Sequence, residues 1–321
     1  MIVKDVQRGA LQTCIWDVNS QHHPRQLSMA HQPALIEWDR QCTVSSRLPL
    51  FAFTSSPDQD RAAPCCGDDT YSVFLEMEPP DVSRVHPLAQ PGLADKFDLV
   101  LSLEDATQYG VHASNVIQWP YGSSSIPVEH WNTSYPKHKL CSIIVSDKNF
   151  TEGHQLRHRV VAIIQSEFAG MCDVLGRGYR PIDSKLEGLR DYMFTIVIEN
   201  SRHGMYMTEK LMDAVAVGVV PIYWGSTFAT SLFEDAILPW DTLEDLRRIL
   251  NHLSAALYDK MQPLLHRNLQ MARHYVPPEQ WLWENVMGCA YEWHLAHPPM
   301  HCGPRLRAST KLPASVLTSA G

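Results

Sequence analysis

The sequence predicts an α/β protein built on parallel sheets, and three observations carry that expectation. Short apolar runs alternate with segments of helical period along the chain. Between Phe194 and Trp224 two apolar runs, FTIVI and VVPIYW, flank a helical segment; this is the strand–helix–strand unit of a parallel sheet. The 321 residues exceed what one hydrophobic core usually holds, so two domains are expected.

In the first half, Leu48 to Thr54, Tyr71 to Met77, Phe97 to Leu103 and Asn115 to Tyr121 read as strands. The first 45 residues offer only a strand near Thr13 to Val18. Ser55 to Thr70 is rich in Ser, Pro, Asp and Gly and reads as a loop; the proline-rich Glu78 to Gly92 reads as irregular. Tyr121 to Lys139 is polar without a period, which suits an interdomain linker.

Beyond it the pattern sharpens. Leu140 to Ser146 is a buried strand, and His154 to Phe168 carries its apolar residues on one helix face. Met171 to Leu175 is a short strand ending at Gly176-Arg177-Gly178. Phe194 to Ile198 is a fully apolar strand, Thr208 to Val217 a helix ended by Gly218, and Val219 to Trp224 the next strand. Leu238 to Trp240 is a last short strand, and Asp241-Thr242-Leu243-Glu244 reads as a capping box. The helical pattern of 242–275 should bend near Pro263, and Pro277-Pro278 should open a helix reaching about His297. The expected domains are 1–135 and 136–297, with a poorly ordered tail over 298–321.

Composition excludes several classes. Lys plus Arg is 27 against 35 for Asp plus Glu, a net charge of −8, which argues against nucleic acid as a partner. With 45% hydrophobic and 19% charged residues the chain is globular. No run approaches the roughly 20 apolar residues of a membrane span. The first residues lack the apolar core of a signal peptide. A soluble, cytoplasmic protein is therefore expected, with a Golgi location only for a truncated chain. The eight cysteines are scattered without a Cys-x-x-Cys pair, as expected of free or buried thiols. Asn132-Thr133-Ser134 and Asn149-Phe150-Thr151 fit the glycosylation sequon, by chance on this reading.

Ligands of open α/β sheets bind past the carboxyl ends of strands. The strand FTIVI runs into Glu199-Asn200-Ser201, the turn Arg202-His203-Gly204-Met205, and then Tyr206-Met207-Thr208-Glu209-Lys210 at a helix start. Free backbone N–H groups there attract phosphate, and Lys210 and Arg202 would add full charges. The plainer alternative is that Thr208 is an N-cap, Glu209 suits the positive helix end and Lys210 is solvated. Asp58-Gln59-Asp60 spells a manganese-binding Asp-x-Asp, but such triplets are common in polar loops. His22-His23 and Cys65-Cys66 lack zinc-ligand spacing, so no metal is expected. Trp119, near the linker, is a candidate to face a sugar.

FTIVIENS (194–201), YMTEKL (206–211) and AVAVGVVPIYWGS (214–226) resemble the signature of the α1,3/4-fucosyltransferases, the GDP-fucose-dependent glycosyltransferase family 10. Weaker similarity covers LCSIIVSDKNFTEGHQLRHR (140–159), EMEPP (76–80), and FDLVLSLED (97–105) followed by PYG (120–122). The resemblance implies a GT-B fold: two Rossmann-like domains facing across a cleft, with C-terminal helices packing back on the N-terminal domain. It implies inverting transfer of L-fucose from GDP-fucose, without a metal, to a hydroxyl of an oligosaccharide acceptor, with an α1,3-type linkage. Arg157, Asn200, Tyr206, Glu209 and Lys210 then match donor-binding residues, Arg157 and Lys210 at the diphosphate. Glu209 lies near the fucose, where it can stabilise an oxocarbenium-like transition state. The general base falls on Asp105, with Glu104 one position away and Glu78 as a third candidate. Two alternatives stay open: a related transferase using another sugar nucleotide, and an inactive glycan- or nucleotide-binding homologue.

Overall fold

The computed structural model describes residues 70–83, 87–233 and 236–275, the backbone of three further strands, and Leu282. Two separate, wholly parallel sheets organise them. The first has six strands: β1 (Leu11–Ile15), β2 (Ile36–Asp39), β3 (Leu50–Thr54), β4 (Thr70–Leu75), β5 (Leu99–Ser102) and β6 (Val116–Gln118), in the order β2-β1-β3-β4-β5-β6. The second has five: β7 (Lys139–Ile144), β8 (Cys172–Leu175), β9 (Tyr192–Ile198), β10 (Val220–Trp224) and β11 (Leu238–Pro239), in the order β11-β10-β9-β7-β8. Two short helices, α1 (Pro80–Ser83) and α2 (Leu93–Lys96), follow β4. The second sheet carries α3 (Glu152–Glu167), α4 (Glu209–Ala216), α5 (Thr227–Leu232), α6 (Leu243–His252) and α7 (Ala255–Tyr275).

The apolar strands are apolar because both sheet faces are covered. In β9, Phe194, Ile196 and Ile198 join the core under α3 and α6, whereas Val197 points to the core under α4. In β10, Val220, Ile222 and Trp224 take the first face and Tyr223 the second. This is the two-residue period of a pleated strand. Helix α7 starts against the first core through Tyr258, Met261 and Leu265 and ends against the second through Leu269 and Ala272.

Several expectations change. The stretch 78–92 is not irregular throughout. It holds α1 and a 3-10 turn, Pro87–Ala89, because a proline in a first helical turn forfeits no hydrogen bond. The supposed linker 121–139 is packed: Ile126 and Trp131 are buried in the core of α4, and the Trp131 indole donates to the Ile126 carbonyl at 2.9 Å. The break in the long helical pattern falls between α6 and α7, where the Ser254 hydroxyl accepts from the Leu257 N–H; Pro263 lies inside α7. Helix α7 packs on the second sheet. β1 starts earlier than expected, and β2 and α5 were not foreseen. Apart from Leu282, the helix expected over 277–297 and the tail lie outside the described residues.

Candidate active site

The strand order of the second sheet reverses between β7 and β9, the place where open α/β sheets form a crevice beyond their carboxyl ends. A cavity of about 430 Å³ opens there. Its floor is the end of β7, Val145 and Ser146, beside the end of β9, Ile198 and Asn200; the first sheet contributes Met77 and Glu78, just past β4.

Gly153, at the start of α3, lets that helix approach β9. A Cβ there would lie 1.8 Å from the Glu199 carbonyl oxygen, so only glycine fits. Thr151 caps the helix, its hydroxyl accepting from the His154 N–H. One turn on, the buried Arg157 guanidinium donates through Nε to the Ile198 carbonyl at 3.0 Å and through Nη2 to the Asn200 side-chain oxygen at 2.9 Å. The Asn200 amide donates to the Tyr206 hydroxyl at 3.3 Å, which donates to Glu78 Oε2 at 3.0 Å. A polar chain thus runs from α3 in the second half to the end of β4 in the first. Burial, then the Arg157 charge, push the His154 imidazole down to about 4, so it is neutral near pH 7. Desolvation holds the Glu78 carboxyl above the ordinary range, against the opposing pull of Lys210.

The start of α4 is organised by Glu199, which is 0% exposed. Its carboxylate accepts from the Thr208 N–H at 2.8 Å, the Thr208 hydroxyl at 2.7 Å and Lys210 Nζ at 3.3 Å. Two of the backbone N–H groups at this helix start are already engaged: Thr208 N–H serves Glu199, and Lys210 N–H serves the Thr208 hydroxyl. The Lys210 ammonium and the Arg157 guanidinium remain as cations lining the cavity. Glu209 lines it too, with Oε1 3.2 Å from Lys185 Nζ and 3.5 Å from Lys210 Nζ. Burial would raise this carboxyl, but the two ammonium groups hold it well below the usual carboxylate range.

Arg157, Asn200, Tyr206, Glu209 and Lys210 thus come together on one cavity, whereas other expected residues do not join them. Asp105 caps the 3-10 turn Ala106–Tyr109, accepting from the Thr107 N–H and hydroxyl, which hold its pKa below the ordinary value; it is exposed and does not line the cavity. Glu104 is 7% exposed and faces His203 Nδ1 at 3.2 Å. Arg202 turns away: it donates to the Gly225 carbonyl, pairs with Asp241 at 2.6 Å and lies over the Trp224 ring. Trp119 is fully buried and donates to the Glu76 carbonyl, so it is core. Asp58 to Asp60, His22-His23 and Cys65-Cys66 lie outside the described residues. Among the described residues no cluster of His, Cys, Asp or Glu could hold a metal ion, and no helix is long and apolar enough to cross a membrane.

The turn between β9 and α4 also reaches the first sheet. Ser201 donates to Asp81 at 2.6 Å, and the Met205 N–H donates to the Leu103 carbonyl at 2.8 Å. Gly204 has φ +34° and so little room that a Cβ would sit 2.0 Å from the Leu103 oxygen.

Sequence reasoning missed Glu199, Lys185 and Asp213. Asp213 left a readable signal, being a lone charge in the apolar run Leu211-Met212-Asp213-Ala214-Val215. Lys185, in the polar stretch before β9, left none.

Comparison with known proteins follows the same lines. Residues 134–291 match the family model described as glycosyltransferase family 10 (fucosyltransferase), C-terminal part. The human alpha-(1,3)-fucosyltransferase 7 is 32% identical over 176 residues; the match covers 53% of this chain and 45% of that protein, so the chain spans less than half of this relative's length. A crystal structure of an alpha1,3-fucosyltransferase with GDP-fucose aligns over 82% of this chain and 84% of its own, with a TM-score of 0.50 and 14% identity, a likeness of fold. Residues 134–291, which hold β7 to β11 and most of the cavity wall, are thus similar to the C-terminal part of the fucosyltransferases of glycosyltransferase family 10.

Proposed function

We propose that this chain transfers L-fucose from GDP-fucose to a hydroxyl of an oligosaccharide acceptor, with inversion and an α1,3-type linkage. One observation carries the reading. Arg157 and Lys210, with further cations that include Lys185, and the carboxylates Glu209, Glu78 and Asp213 line a single cavity at the switch point of the second sheet. Residues 136–297 would hold the donor and residues 1–135 the acceptor.

Arg157 and Lys210 would meet the diphosphate and offset the charge that GDP gains on leaving. Asn200 and Tyr206 would orient the donor. Glu209 is held ionised beside Lys185 and Lys210, which suits a carboxylate facing the positive charge that builds at the anomeric carbon. The acceptor oxygen forms its bond to that carbon as the carbon–oxygen bond to GDP breaks, with the electron pair leaving on the phosphate. The acceptor hydroxyl proton passes to a base, and we assign that role to Glu78 rather than Asp105 or Glu104. Glu78 comes from the first sheet, lines the cavity, and has a carboxyl whose proton affinity is raised by desolvation.

Calorimetry with GDP-fucose, GDP-mannose and UDP-sugars, followed by GDP release with a panel of glycan acceptors, tests the reading. We expect preferential binding of GDP-fucose and GDP release that depends on the acceptor. Binding of a UDP-sugar in its place, or GDP-fucose binding without turnover on any acceptor, would overturn it.

A further inference from the structure

Lys185 stands in the 3-10 turn Lys185–Gly188 between β8 and β9 and lines the cavity. Its Nζ lies 3.0 Å from Asp213 Oδ2, 3.2 Å from Glu209 Oε1 and 3.2 Å from the Ser125 hydroxyl. Asp213 is 1% exposed, on the face of α4 that fills the core. Its other oxygen accepts from the Ser124 hydroxyl at 2.8 Å and the Ser125 N–H at 2.6 Å. A single ammonium therefore ties together the turn before β9, helix α4 and the segment that links the two sheets.

A buried carboxylate is tolerated when a charge and hydrogen bonds compensate it, and Lys185 does this for Asp213. A bare ammonium beside a sugar carbon that is gaining positive charge would oppose the reaction; one neutralised by two carboxylates does not. We propose that Lys185 is a positioning residue for the sugar half of the donor site, fixing the Glu209 carboxylate through Oε1 while it neutralises Asp213. The proposal rests on the function given above. Facing Glu209 are Lys185 from its turn, Lys210, Asp213 and Tyr206 from α4 and its approach, Arg157 from α3, Glu199 from the end of β9 and Glu78 from the first sheet.

The test uses the full chain and the variants Lys185→Met, Lys185→Arg and Lys185→Met/Asp213→Asn. The double variant removes the buried charge that Lys185→Met would strand. Lys185→Met should lower kcat with GDP-fucose by about 100-fold, the scale of a misplaced group. Affinity for GDP should stay within about threefold, since the diphosphate cations are intact. The Glu209 carboxyl, followed by carbon-13 NMR in the protein alone, should titrate at least about one pH unit higher. Lys185→Arg should recover most of the rate, and the double variant should fold yet remain slow. Unchanged kcat, a loss of GDP affinity matching the loss of rate, or an unmoved Glu209 titration would overturn the proposal. If the wild-type chain releases no GDP, the proposed function fails, and the Glu209 titration still decides the role of Lys185.

Discussion

Glu199→Gln changes one atom at the most enclosed polar position of the site. The carboxylate accepts from the Thr208 N–H at 2.8 Å, the Thr208 hydroxyl at 2.7 Å and Lys210 at 3.3 Å. A glutamine can keep its carbonyl on the Thr208 N–H. Its amide can then donate to the Thr208 hydroxyl, but it faces the Lys210 ammonium with a second donor. The bond to Lys210 is lost and the remaining two weaken, where hydrogen bonds to a charge are worth about 1.5 to 3 kcal/mol each. The Lys210 side chain is 25% exposed, so water recovers part of its loss. A destabilisation of about 3 kcal/mol follows, at the lower end of what breaking a buried pair costs. Urea unfolding monitored by tryptophan fluorescence measures it. Lys210→Met should cost less in the Glu199→Gln background than alone, with a coupling of at least about 1 kcal/mol. A cost below about 1 kcal/mol, or strictly additive variants, would refute the picture of Glu199 as the anchor of α4.

Glu78→Gln should lower kcat by about 100- to 1,000-fold with GDP affinity nearly unchanged, whereas Asp105→Asn should alter kcat by less than about twofold; steady-state kinetics on both variants decides between them. The wild-type kcat should also fall as pH drops through a value above the ordinary glutamate range of about 4.3, because desolvation raises the Glu78 carboxyl. Gly153→Ala drives a methyl into the Glu199 carbonyl and should cost about 2 to 3 kcal/mol in urea unfolding. Glu104, first, and Asp81 raise the His203 imidazole, although its partial exposure moderates the effect. Its stabilisation is complete below the unfolded value of about 6.5 and is lost as pH rises through the higher folded value. His203→Gln should flatten that stretch of a Tm-against-pH curve.

Strands whose side chains are apolar on both faces were legible without a structure. Phe194 to Ile198 and Val220 to Trp224 could not be apolar on both faces unless each were covered, and α3 and α4 cover them. The residues we propose for the donor were legible because they cluster in sequence: Asn200, Tyr206, Glu209 and Lys210 share one strand end and one helix start. The pairing of Lys185 with Asp213 was not, since 28 residues separate them and only the packing of α4 on the second sheet brings them together. We propose Glu78 as the base, and the sequence ranked it behind Asp105 and Glu104 for a related reason. Asp105, with a threonine two residues on, satisfies itself locally, while Glu78 gains its importance from Tyr206, 128 residues later in the chain. The helix break at Leu253–Ser254 had a local sign, the serine before Ala255, but Pro263 was the louder signal.

The turn over 200–206 carries Asn200 and Tyr206 into the cavity while its Ser201 and Met205 are stitched to Asp81 and Leu103. One short peptide is thus both jaw and hinge pin. Prising the halves apart would drag Asn200 and Tyr206 with the turn, so a reshaped cavity and a shifted first sheet should be the same event. The spacing of the two halves is then set by a handful of peptide units, and any side chain at Gly204, driven against the Leu103 carbonyl, would loosen both grips together.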